Sequence, residues 1–135
     1  MITKSLNIPP KEIFKSRDYV LVYESEEDIK NIKIERSVFD LINLDPGGVV
    51  VTATGTDSDF VSRYFTPQSS ILEDPVTGSA YCSLIPFWSS RLGKNNLFSR
   101  LLSERGGQLY CENKNERVIV AGTAKTYSAG HIWIE

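Results

Sequence analysis

The chain has 135 residues and a mass of 15.2 kDa, with 15 Lys and Arg against 17 Asp and Glu, 41% hydrophobic residues and 24% charged ones. That length admits one domain with a substantial core and excludes two large ones, and the apolar fraction excludes a disordered chain. A formal charge of −2 without a basic stripe excludes a surface built to neutralise a phosphate backbone, so no nucleic acid is expected as partner.

In chain order, Asp18 to Glu24 (DYVLVYE) is β-branched and aromatic and reads as a strand. Ser25 with Asp28 three residues later predicts a capped short helix through Ile29 and Ile32, and Glu26, Glu27 and Asp28 stand where the helix dipole favours acids. Val38, Leu41 and Ile42 suggest a second short helix, closed by the turn signal Asp45-Pro46-Gly47. Gly48 to Thr54 (GVVVTAT) predicts a strand covered on both faces, because Val49 to Val51 do not alternate. A strand over Phe60 to Phe65 follows. From Ala80 to Gly93, apolar residues recur at helical spacing almost all the way round, which predicts a helix buried on most sides, kinked or loosened near Cys82 by Pro86 and stopped by Gly93. Leu97 to Glu104 reads as a brief helix, and Gln108 to Glu112 with Arg117 to Ala121 as a hairpin turning at Asn113 to Glu116. Thr123 to Tyr127 and His131 to Ile134 read as two last strands. Strands without regular βαβ alternation predict an α+β fold, a mixed or antiparallel barrel-like sheet around the apolar helix.

The longest apolar runs, Gly47 to Val51 and Leu84 to Trp88, fall far short of the roughly 20 residues that cross a bilayer, and Met1 to Pro10 has no signal-peptide core. The expectation is a cytoplasmic protein without membrane attachment. Cys82 and Cys111, in apolar surroundings, read as free core thiols, and the lone His131 leaves no metal-ligand cluster.

The stretch Glu73 to Ala80 (EDPVTGSA) carries the densest chemistry. Pro75 holds Asp74 extended, Gly78 permits close approach, and Thr77 or Ser79 can cap the following helix. Two readings stand side by side: an acidic helix cap facing water, or an anion site at a helix N-terminus with Glu73 or Asp74 exchanging a proton if burial raises its pKa. Arg63, beside Tyr64 on a strand, is read as a surface salt-bridge partner in preference to a ligand contact. Gly106 and Gly107 are read as a plain turn, since RGG lacks phosphate-loop spacing and lysine. His131 is read as an edge or interface residue.

Glu73 to Ala80, preceded by RYFTP and followed in order by PFWSSRLGK, SERGGQLYCE and RVIVAGTAKTY, resembles the phenazine-biosynthesis PhzF-like family from Leu6 onward. The resemblance implies a diaminopimelate epimerase-like fold of two pseudo-symmetric domains, each a sheet wrapped around a helix, with the active site between them. Residues 1–135 resemble the second domain alone, without the first domain and its catalytic glutamate. It further implies Asp74 and Ser79 as catalytic residues, and Glu73, Thr77, Gly78, Ser79, Ala80 and Tyr81 as contacts to a small carboxylic-acid ligand, with no metal or organic cofactor. Tyr81 stands where the family commonly has histidine. The implied activity is isomerase-type proton transfer on a small unsaturated or amino acid, performed as a half-enzyme whose partner supplies the glutamate. The alternative is a non-catalytic small-acid-binding or dimerising domain. A homodimer is expected, because a domain without its mate exposes the cleft-facing surface.

Overall fold

The computed structural model describes residues 2–44 and 46–135; Asp45, the first residue of the expected Asp45-Pro46-Gly47 turn, lies outside the described residues, as does Met1. Eight strands form one mixed sheet: β1 (Glu12–Lys15), β2 (Tyr19–Val22), β3 (Val49–Thr54), β4 (Phe60–Phe65), β5 (Glu73–Asp74), β6 (Asn96–Leu101), β7 (Gly107–Asn113) and β8 (Val118–Ala121). The order is β1-β2-β3-β4-β6-β7-β8, with β5 paired to β4 beside the main path. Two neighbours are parallel, β2 with β3 and β4 with β6. The first parallel pair is connected through helices α1 (Glu26–Asn31) and α2 (Arg36–Phe39), the second through β5 and α3 (Tyr81–Leu92).

Local chemistry explains where these elements start and stop. Ser25 caps α1 with a full capping box: its hydroxyl accepts from the Asp28 N–H, and its own N–H donates to the Asp28 carboxylate, each at 3.2 Å. Gly93 ends α3 in the left-handed conformation with its N–H on the Ser89 carbonyl. Gly48 has no substitute at its position, because a Cβ there would lie 2.5 Å from the Tyr64 ring and 2.8 Å from the Phe65 carbonyl oxygen.

Alternation along the central strands divides the core into two layers. On one face, Val20, Val22, Val50, Phe60 and Tyr64 pack with Leu84, Ile85 and Trp88 of α3. On the other, Leu21, Val49, Val51, Val61 and Phe65 pack with Ile29 of α1 and Phe39 of α2. The unbroken Val49-Val50-Val51 run follows directly from this arrangement, since both faces of β3 are covered.

Several expectations are corrected. Leu97 to Glu104 is no helix: Asn96 to Leu101 form β6, where Leu97, Ser99 and Leu101 are buried with period two. Thr123 to Tyr127 and His131 to Ile134 are not strands, because nothing among the described residues pairs with their backbone, and residues 122–135 are exposed throughout. Helix α3 is buried on one side only, with Tyr81, Leu84, Ile85, Trp88 and Ser89 inward and Cys82, Pro86, Ser90 and Arg91 outward. Cys82 is consequently exposed and not a core thiol, whereas Cys111 is buried; both are free.

Candidate functional site

The chain from Glu73 to Ala80 links the short β5 to the start of α3 across one end of the sheet. On a strand, adjacent side chains point to opposite faces, and this separates the two neighbouring acids. Glu73 is taken by Arg63 in a bidentate pair, Nε to Oε1 at 2.7 Å and Nη2 to Oε2 at 2.9 Å. Arg63 Nη1 also donates to the carbonyls of Ile29 (2.9 Å) and Ile32 (3.1 Å), so the pair anchors the end of α1. The expected Arg63 salt bridge is present, but largely buried and not on the surface, because the end of α1 covers the guanidinium, and Glu73 is committed to it.

Asp74 points the other way. Its Oδ2 accepts from Thr77 Oγ1 at 2.6 Å, a contact that closes the Asp74-Pro75-Val76-Thr77 turn. Thr77 is 7% exposed, so its hydroxyl is spent on Asp74 and caps no helix. Ser79 caps none either. The residue preceding α3 is Ala80, in helical conformation and without a side-chain cap. The first N–H groups of α3 turn back in tight bonds, Tyr81 to the Gly78 carbonyl at 3.1 Å, Cys82 to Ser79 at 3.2 Å and Ser83 to Ala80 at 3.1 Å. Among the described residues, the N–H groups of Gly78, Ser79 and Ala80 make no hydrogen bond. Gly78 and Ser79 are exposed while Ala80 is buried. The turn therefore presents a hydroxyl and unengaged amides beside a carboxylate that is oriented by its own donor, a set able to bind an anionic oxygen.

Tyr81 faces away from this set. It is 1% exposed, and its hydroxyl is held between Ser99 Oγ at 2.7 Å and Ser62 Oγ at 3.1 Å under the Phe60 ring. Burial pushes its phenol up to about 12. Of the residues implied as ligand contacts, the structure gathers Asp74, Thr77, Gly78 and Ser79 at one turn, places Ala80 beneath it, and directs Glu73 and the Tyr81 ring elsewhere.

Two groups beside the turn escaped the sequence reading. Tyr64 is the cross-strand partner of Asp74, and its hydroxyl donates to buried Asp18 at 2.9 Å, where the Gly48 N–H also donates at 2.8 Å. Burial, reinforced by the Asp18 hydrogen bond, pushes the Tyr64 phenol up to about 12. The only sequence signal was the alternation of β4, which puts Tyr64 on the α3 face. The second is the loop Ser103–Arg105, which with Glu73 and Pro75 lines an open cleft of about 480 Å³. Ser103 Oγ donates to the Pro75 carbonyl at 2.9 Å, tying this loop to the turn. Gly106 lies at φ +72°, as a turn after Arg105 requires. No group of three or more His, Cys, Asp or Glu that would hold a metal ion occurs among the described residues. No helix among them is long and apolar enough to cross a membrane.

Comparison with known proteins agrees with this architecture. Residues 6–130 match the PhzC-PhzF family model, described as phenazine biosynthesis-like protein. An uncharacterized isomerase of Pseudomonas aeruginosa is 44% identical over 132 residues, covering 97% of this chain and 50% of that protein. One from Halalkalibacterium halodurans is 39% identical, covering 90% of this chain and 46% of that protein. The crystal structure of a phenazine biosynthesis protein of the PhzF family from Enterococcus faecalis superimposes with a TM-score of 0.87 at 41% identity, over 98% of this chain and 51% of that one. The fold is thus PhzF-like and α+β, with a mixed sheet and a few helices. The chain belongs to the phenazine biosynthesis-like PhzC-PhzF family. It spans about half the length of the curated relatives it matches.

Proposed function

We propose that this chain contributes one half of an isomerase site: Asp74, Ser79 and the amides of Gly78 to Ala80 hold a small unsaturated or amino carboxylic acid, and a second polypeptide unit supplies the glutamate that moves the proton. The observation that carries this reading is the turn itself, where Thr77 orients Asp74 at 2.6 Å while α3 begins without a side-chain cap. Relatives named as isomerases support the reaction class. Proton transfer needs the substrate held in register with the group that moves the proton, and this turn provides the holding side of that arrangement. In this reading the domain is the second of a diaminopimelate epimerase-like pair, with α3 as its central helix, working in a cytoplasmic biosynthetic process. Tyr81, at the family's usual histidine position, serves the core and not the ligand.

Binding of short unsaturated acids such as crotonate and fumarate, followed calorimetrically, tests the site. Asp74→Ala and Ser79→Ala should each weaken binding more than folding, and unchanged binding in both variants would remove the assignment. Solvent deuterium exchange into the same acids tests the missing half. The isolated chain should exchange poorly, and robust exchange by it alone would contradict the need for a partner.

A second reading, a non-catalytic small-acid-binding domain that forms a homodimer, draws support from the apolar side chains outside the core: Ile13 and Phe14 at one sheet edge are each 44% exposed, and Ile119 at the other is 43% exposed. Light scattering at tens of micromolar decides this point, a monodisperse monomer counting against it.

A further inference from the structure

The turn Ser16 to Asp18, between β1 and β2, is fixed at both ends to elements of the candidate site. Ser16 Oγ lies 3.1 Å from Ser83 Oγ, in the first turn of α3 and one helical turn beyond Ser79. Asp18 is 2% exposed and receives the Tyr64 hydroxyl at 2.9 Å and the Gly48 N–H at 2.8 Å. Gly47, at φ +139°, backs the turn so closely that a Cβ there would lie 2.6 Å from the Arg17 carbonyl oxygen. Arg17 stands between the two anchored residues, on a held backbone, with an exposed side chain. Arg36, Arg63 and Arg91 are each paired with a carboxylate; among the described residues, Arg17 has none.

Tyr64 measures the gap between this cation and the site. Its backbone lies opposite Asp74 in the pairing of β4 with β5, and its hydroxyl ends at Asp18, the residue after Arg17. About one tyrosine side chain therefore separates the Asp74 turn from the Arg17 turn. Burial and the Asp18 hydrogen bond dominate the raised Tyr64 phenol, but it also feels both charges, Arg17 lowering it and Asp74 raising it. A ligand held by one carboxylate at Gly78 to Ala80 has the Asp74 charge beside it, which repels any second anionic group that lacks a cation of its own. Arg17 is the cation placed to meet such a group, and its forked donors match a carboxylate.

We propose that Arg17 is a specificity-determining residue of this site, binding the second carboxylate of a short unsaturated dicarboxylic acid whose first carboxylate sits on the amides of Gly78 to Ala80. The proposal rests on the small-acid reading of the turn and narrows its ligand to diacids. Ser16 and Asp18 position the guanidinium indirectly, by pinning the turn to α3 and to Tyr64.

Calorimetric titration of the full chain with trans-2-pentenoate and trans-glutaconate, which share a carbon skeleton and differ by one carboxylate, tests the assignment. The wild-type chain should bind glutaconate about tenfold more tightly than pentenoate. In Arg17→Met this ratio should fall to about one, and in Arg17→Lys it should fall part of the way, because an ammonium keeps the charge and loses the fork. Lys15→Met should keep the wild-type ratio, since Lys15 lies over the Tyr19 ring, 5.4 Å from its centroid. All three variants change exposed side chains and should unfold within about 2 °C of the wild type, so the ratios compare folded proteins. A ratio near one in the wild type, or one left unchanged by Arg17→Met, would overturn the role of Arg17 while sparing the turn as a monoacid site. An equal collapse in Lys15→Met would trace the preference to the general field of the hairpin and overturn the contact. A wild-type preference for pentenoate would overturn the diacid in favour of an apolar tail lodged in the cavity of about 200 Å³ between Phe14, Val20 and Phe87. Absence of binding by either acid would overturn the turn itself, and Arg17 with it.

Discussion

Thr77 and Asp74 are joined by a 2.6 Å hydrogen bond across the turn Asp74-Pro75-Val76-Thr77, and Thr77 is the more deeply buried of the two. The hydroxyl thus sets the direction of the carboxylate. Thr77→Val keeps the shape and removes the donor, and should cost about 1.5–3 kcal/mol of stability, as expected for a hydrogen bond to a charged acceptor. It should also weaken acid binding, since Asp74 loses its orientation, whereas Thr77→Ser should restore both. Urea unfolding and calorimetric titration of crotonate read the two effects separately.

Arg63 and Glu73 make the opposite prediction. Their side chains are 14% and 22% exposed, and Arg63 satisfies two carbonyls at the end of α1 as well as both carboxylate oxygens. Arg63→Met strands an acid and two carbonyls, and should cost about 3 kcal/mol. Glu73→Gln should cost less, because an amide still accepts from the guanidinium. Acid binding by the folded protein should survive Glu73→Gln, since this side chain belongs to the α1 side of the sheet. Binding lost in Glu73→Gln at intact stability would place Glu73 in the site.

Legibility in the sequence followed the range of the interaction involved. Ser25 and Asp28 announce α1 because a capping box is complete within four residues, and Gly93 announces the end of α3 for the same local reason. Val49 to Val51 announce a doubly covered strand. Leu97, Leu101 and Leu102 suit a helix as well as a strand, and only pairing of β6 with β4 and β7 decides the matter. β1 is short and mostly exposed, and β5 has two residues, so neither carries a pattern of its own. The separation of Glu73 from Asp74 becomes visible only once they are placed on a strand. The location of Tyr81 likewise depends on Ser62 and Ser99, which come from distant strands and leave no trace beside it.

The two cysteines should differ sharply in reactivity. Cys82 is exposed on the outer side of α3, while Cys111 is buried in β7, where desolvation pushes its thiol up to about 11. At mildly alkaline pH, Ellman's reagent should titrate a single thiol in the native protein and both in denaturant. Cys82→Ser should abolish the fast reaction, and a fast reaction that persists would contradict the burial of Cys111.

Tyr81 predicts an alkaline loss of stability. Burial raises its phenol from 10.0 to about 12 on folding, against the opposing hydrogen bonds from Ser62 and Ser99. The folded state therefore holds the proton more tightly than the unfolded chain. Its contribution is complete below about pH 10 and is lost as pH rises from about 10 through about 12, where the unfolded phenol ionises first. Tyr64, also raised to about 12 and mainly by burial, adds to the same slope. Tyr81→Phe should begin about 1–2 kcal/mol less stable near neutrality, because two buried serine hydroxyls lose their partner. It should then decline less steeply across the alkaline range, keeping the shares of Tyr64, Tyr23 and Cys111, which burial also raises. Urea midpoints of both proteins, followed across that range, should converge as pH rises; parallel curves would show that the Tyr81 phenol titrates alike in the folded and unfolded states.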